Sequence, residues 1–189
     1  MRPDIQRDLI PPDDALRLVG ALNAMQATFH DRAQQWQLLD ESGHVPTEPL
    51  SYTELLRHAT SAQDLSRDVL RLTSEFAASD YSTTRTGRAI LAHLATASTM
   101  SAHAPSHFAQ TAQGVLGQPR SACPTKRYVT DPMVIDHASA RAFLQRTSES
   151  LRDAAKALDD HLDFQRLIST LARLETPVPP PPGLKGRHA

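Results

Sequence analysis

The chain has little of what builds short turns and small cross-linked folds. Its 189 residues include 7 glycines and one cysteine, Cys123. A single cysteine cannot form an intramolecular disulfide, which fits a reducing compartment. The scarcity of glycine favours a few long elements over many short ones. The sequence therefore points to a protein built from long elements and held together by packing.

The chain also lacks an excess of charge of either sign. It carries 20 Lys and Arg residues against 21 Asp and Glu residues, a formal net charge of −1. A nucleic-acid-binding domain normally carries a basic excess or stripe, so this composition does not favour a nucleic-acid partner. A regulator bound to nucleic acid would need its arginines gathered on one face, for example Arg85, Arg88, Arg120 and Arg127 with Lys126.

Long hydrophobic runs are absent as well. No stretch approaches the roughly 20 apolar residues that span a bilayer. The first ten residues, MRPDIQRDLI, contain no apolar core of a secretory signal. We therefore expect no membrane association and a cytoplasmic location.

What the sequence does contain is apolar residues at helical spacing in four stretches. The first helix is predicted to start at Asp13 or Asp14 as its cap and to end near Ser42 and Gly43. The second is predicted from Ser51, where Glu54 three residues later completes a capping-box pattern, to about residue 79.

The third stretch begins near residues 82–91, STTRTGRAIL, and runs into Pro105. Proline inside a helix removes a hydrogen bond and clashes with the preceding turn, so a kink or a fresh start is expected there. The stretch then continues and stops by Gly114 or Gly117. The last helix is predicted to open with Asp136 as its cap and to run to residue 175, with Leu171 on its core-facing stripe.

These stretches predict an all-α fold, a four-helix bundle of the up-and-down type. Residues 114–135 form a long loop between helices 3 and 4, and such a loop tends to be functional or mobile. Residues 1–12 are an N-terminal arm, residues 13–175 a single helical-bundle domain, and residues 176–189 a disordered proline-rich tail.

The motif HAPSH, residues 103–107, is the part of the chain that most resembles a metal-binding motif. His103 and His107 have the four-residue spacing of a helical pair of metal ligands. A third ligand would come from a facing helix, where His58 is the first candidate and His137 and His161 on the last helix are the others. Three histidines with an open position could hold a divalent metal and activate water. Pro105 weakens this hypothesis, and a purely structural pair stays the alternative.

Other catalytic patterns have little support. No nucleophile elbow, phosphate-binding glycine loop or dinucleotide fingerprint occurs. Cys123 lies near basic residues that could lower the pKa of its thiol. The segment DDHLD, residues 159–163, is interpreted as a solvated acidic face.

The function predicted from these observations is non-enzymatic. Small residues between positions 92 and 104 permit the close approach of another helix, from the same chain or from a second copy. We expect a homo-oligomer that acts through protein–protein contacts, with the proline-rich tail as a further contact for a protein partner. The alternative is a metal- or small-ligand-binding bundle that uses the histidine pair and a third histidine.

Overall fold

The computed structural model describes residues 9–38, 51–116 and 132–174. These ranges contain four α-helices, α1 (Pro12–Gln35), α2 (Tyr52–Ala77), α3 (Arg85–Leu116) and α4 (Pro132–Leu174), and a 3₁₀ turn at Asp80–Thr83. Every regular element in these ranges is helical, which confirms the all-α prediction. No helix within the same ranges is long and apolar enough to cross a membrane.

The start of α2 is as predicted. The hydroxyl of Ser51 accepts a hydrogen bond from the backbone N–H of Glu54 at 3.2 Å. The Glu54 carboxylate in turn accepts from the backbone N–H of Ser51 at 2.9 Å. Both halves of the capping box are present. Two N–H groups that the helix cannot bond are thereby satisfied.

The predicted ends of α1 were wrong. The helix begins at Pro12 after Pro11, and proline suits a first helical position because its missing N–H is not needed there. The carboxylate of Asp14 instead accepts a hydrogen bond from the Tyr81 hydroxyl at 3.1 Å. At the other end, Trp36 already lies outside the helix. There Nε of Arg141 donates to the carbonyl of Ala33 at 2.7 Å, so a side chain from α4 satisfies one of the last carbonyls of α1.

Two further corrections concern α3 and α4. The helix α3 continues through Pro105 without interruption. Pro105 is buried with its neighbours Ala104 and Phe108, and we attribute the intact helix to this packing, which offsets a cost of about 3 kcal/mol. The helix α4 begins at Pro132, so Asp136 lies one turn inside it and is not its cap.

Several predictions fall outside the described residues. These are the linker before Ser51, most of the 114–135 loop with Cys123, most of the N-terminal arm, and the 176–189 tail.

The helices pack in antiparallel pairs. α4 packs against α1 and α3, and α3 packs against α2. Arg141, near the start of α4, bonds Ala33 at the end of α1, and His161, further along α4, bonds Ile10 just before α1. α3 and α4 run in opposite directions too, because His107 meets Asp136 near the start of α4 and Thr86 at the start of α3 meets His161.

One core cluster joins all four helices, and its largest fully buried aliphatic and phenyl side chains include Leu22, Phe29, Val69, Ile90, Leu94, Phe108, Leu144, Leu151 and Leu158. A smaller cluster is formed by Leu38, Met133 and Val134.

The small residues of α3 lie where α2 approaches. The hydroxyls of Ser98 and Thr73 are 2.8 Å apart, and Ser101 donates to Ser66 at 3.3 Å. Ala97, the residue before Ser98, is fully buried. The close approach expected from the sequence is therefore made, at least in part, by a helix of the same chain.

Candidate functional site

Four histidines gather at the end of the helices where α1 ends and α4 begins. His58 is in α2, His103 and His107 are in α3, and His137 is in α4. Three aromatic side chains, Trp36, Phe108 and Phe143, separate them. The antiparallel packing brings these residues together because the start of α2 and α4 meets the end of α1 and α3.

The predicted pair, His103 and His107, shares one aromatic partner. Their ring centroids lie 4.9 Å and 5.5 Å from that of Phe143, and the ring of His107 stacks on it at 17°. Nδ1 of His107 lies 3.1 Å from Oδ1 of Asp136. The carboxylate expected to cap α4 instead accepts a hydrogen bond from an imidazole of α3.

His58 belongs to a different aromatic group. Its ring stacks on Trp36 with centroids 4.5 Å apart and planes 13° from parallel. Its centroid lies 5.8 Å from that of Phe108, which it meets edge-on. The structure thus brings His103 and His107 together on Phe143 and places His58 on Trp36. Within the described ranges, no group of three or more His, Cys, Asp or Glu residues could hold a metal ion.

His137 is the most deeply buried histidine of this cluster. It is 2% exposed and meets Phe108 edge-on at 5.3 Å. Burial, with smaller contributions from the positive charges of His58 and Arg141, lowers the pKa of His137 to about 4. The sequence could have indicated that His137 is buried. It lies three residues after Val134 and three before Ala140, on the same helix face as these two buried residues.

The DDHLD segment has the solvated acidic face expected from the sequence, because its three aspartates are exposed. His161 between them is buried. Its Nε2 accepts hydrogen bonds from the backbone N–H of Ile10 at 3.2 Å and from the amide of Gln165 at 2.9 Å. Because Nε2 accepts, Nδ1 carries the proton and donates to the Thr86 hydroxyl at 3.4 Å. This histidine joins three parts of the chain.

A second candidate surface lies on the last turns of α4. Phe164, Leu167 and Leu171 are 53%, 56% and 52% exposed. Spacings of three and four residues place them on one helix face. The core position predicted for Leu171 was wrong, because α4 continues past His161, where it meets the first turn of α3 at Thr86. Beyond that point the core-facing stripe has less to pack against.

Comparisons with known proteins add no relative to this description. No protein-family model, no curated protein and no solved structure matches the chain.

Proposed function

We propose that this chain is an up-and-down four-helix bundle that acts in the cytoplasm through protein–protein contacts, beginning with its own second copy. The observation that supports this proposal is the exposed face formed by Phe164, Leu167 and Leu171, hereafter the α4 seam. Three large apolar side chains, each more than half exposed, lie within eight residues. A contiguous apolar patch of this kind is typical of an interaction site.

The spacing of the α4 seam favours another helix as its partner. Steps of three and four residues are those of a coiled-coil seam, in which side chains of one helix fit between those of the other. A second copy supplies an identical seam, and two-fold pairing of identical surfaces is the commonest assembly of soluble proteins. Leu70, another large exposed apolar residue, is on a different helix, α2.

The small area of the α4 seam limits the expected affinity of self-association. Three half-exposed side chains cover far less than the roughly 800 Å² per partner of a stable interface. Pairing through the α4 seam alone is therefore weak and depends on protein concentration. The tail at residues 176–189, outside the described residues, is proposed as a second contact that binds a protein partner in an extended conformation.

Sedimentation velocity over a concentration series tests the seam. Wild type is expected to shift toward a dimer as concentration rises. The double variant Leu167→Ser, Leu171→Ser should remain monomeric at every concentration. Leu70→Ser is the matched control, because Leu70 is 58% exposed on another helix. Equal association of all three proteins would overturn the proposal, and so would a monomeric wild type. Deletion of residues 176–189 should leave the dimer unchanged.

A further inference from the structure

A cleft of about 290 Å³ opens between the start of α1 and the end of α4. Its apolar surface is formed by Pro12 and Leu16 of α1 and by Leu162 of α4, and its polar surface by side chains from the last turns of α4. Sites for small molecules begin near this volume, at roughly 300 Å³, and combine apolar walls with a few polar groups that fix the orientation of the ligand. The cleft has room for a small molecule with an apolar body.

The charged residues of the cleft lie where the pattern of α4 would place leucine. Leu158 and Leu162 face the core and are buried. Arg166 and Arg173 follow Leu162 by four and eleven residues, which is about one and three helical turns, so they continue the same face. The segment before α1 meets α4 at His161, so both arginines lie beyond the packed start of α1. The large apolar residues of these turns form the α4 seam instead, which is a different face of the helix.

The two guanidinium groups are the main hydrogen-bond donors of the cleft. Its described lining contains Arg166 and Arg173 and no carboxylate. The hydroxyls of Ser169 and Thr170 already donate to backbone carbonyls one turn earlier in α4, and the amide of Gln165 donates to the segment before α1. Each guanidinium carries five N–H donors, more than one ion pair engages. The ligand that these groups suit is an anion.

The ion pair of Arg166 does not close the cleft to an anion. Nη1 of Arg166 lies 3.0 Å from Oδ1 of Asp163, and the two side chains are 71% and 73% exposed. An ion pair this exposed contributes little to stability and weakens as salt is added. A ligand that contacts both arginines therefore competes with a single carboxylate that contacts one of them.

We propose that the cleft binds a small organic phosphate monoester, whose phosphate lies between Arg166 and Arg173 and whose apolar body lies on Pro12, Leu16 and Leu162. The two arginines are seven residues apart, about 10.5 Å along the helix axis, so they approach the phosphate from two directions. Each planar guanidinium binds two oxygens at once. A phosphate monoester offers three terminal oxygens and up to two negative charges to the two guanidiniums, whereas the two oxygens and single charge of a carboxylate match only one.

The test is a calorimetric titration of the full chain with phenyl phosphate, inorganic phosphate and benzoate. At pH 7.5 the ester is a dianion, because its second pKa is near 6. We expect one phenyl phosphate per chain, bound about tenfold more tightly than either of the other two anions, since these lack the apolar body or the second charge. Arg166→Gln and Arg173→Gln should each weaken binding by about tenfold or more. Arg152→Gln, at another exposed position of α4, should leave it unchanged.

Two further variants separate the parts of the proposal, and every side chain replaced in these variants is exposed. Leu16→Ser should weaken the binding of phenyl phosphate and leave that of inorganic phosphate unchanged, because it removes only apolar surface. The double variant Leu167→Ser, Leu171→Ser should bind phenyl phosphate as wild type does, so the result does not depend on self-association. The proposal fails if phenyl phosphate does not saturate the protein, if Arg152→Gln weakens binding as much as the cleft variants, or if benzoate or phenol binds as tightly.

Discussion

The backbone N–H of Ile10 donates a hydrogen bond to Nε2 of His161, 151 positions away, at 3.2 Å. Gln165, one turn further along α4, donates to the carbonyl of Ile10 at 2.7 Å. Both polar groups of one residue are thus bonded by α4, and Ile10 itself is 1% exposed. This contact joins the segment before α1 to the far end of the longest helix.

Removal of the His161 side chain should destabilise the fold. His161→Ala leaves the buried N–H of Ile10 without an acceptor, and we expect the free energy of unfolding to fall by about 1–3 kcal/mol. Urea denaturation followed by circular dichroism measures the change. His30→Ala, at an exposed position of α1, is the control. A His161→Ala protein as stable as that control would show that the contact does not stabilise the fold.

His161 is also expected to make the stability of the fold depend on pH. Burial lowers the pKa of His161 below its ordinary value of 6.5. Above pH 6.5 the ring is neutral in both states, and stability is at its full value. As pH falls below 6.5, the unfolded chain binds the proton first, so the folded state loses stability until its own pKa is reached. The slope for one histidine is at most about 1.4 kcal/mol per pH unit.

His161→Gln separates this effect from the titration of other groups. Glutamine keeps an oxygen that can accept from Ile10 but does not titrate. Urea denaturation at a series of pH values from 8 to 5 should show a shallower loss of stability in His161→Gln than in wild type. Identical slopes would show that His161 does not contribute to the pH dependence.

Substitution of two glycines by alanine is expected to change the stability of the fold in opposite directions. A Cβ on Gly87 would overlap the backbone carbonyl oxygen of Tyr81, whereas nothing lies within 4 Å of a Cβ on Gly20. Gly87→Ala should cost about 1–3 kcal/mol, because the 3₁₀ turn must move away from α3. Gly20→Ala should stabilise the protein by about 0.5–1 kcal/mol, because alanine is the better residue inside a helix. Thermal unfolding of both variants measures the difference, and equal shifts would contradict the packing described.

The fold was largely predictable because helical periodicity and capping chemistry are local. Ser51 and Glu54 lie three residues apart, so their capping box could be recognised without knowledge of the fold. The end of α1 could not be predicted from the local sequence, because Arg141 from the distant helix α4 donates to the carbonyl of Ala33 there. Pro105 is the reverse case, because a local rule predicted a kink or a fresh helix start there and α3 continues through it as one helix.

The candidate site was predictable only in part. The spacing of His103 and His107 correctly indicated that they lie together, because both are on one helix. The grouping of His58 with Trp36 and Phe108, and of His137 with the same Phe108, depends on the register between helices. The exposure of Leu171 depends on where neighbouring helices begin. A one-dimensional pattern does not contain either kind of information.

Pairing through the α4 seam is tested most directly by a distance between copies. Nitroxide labels on Thr170→Cys in the Cys123→Ser background lie beside the seam, where residue 170 is exposed. Paired helices run roughly 8–10 Å apart, so double electron–electron resonance should give a defined intermolecular distance between seam labels. The same label on Leu70→Cys should give a longer or absent one. A seam label with no intermolecular coupling at high protein concentration would contradict the proposed self-association.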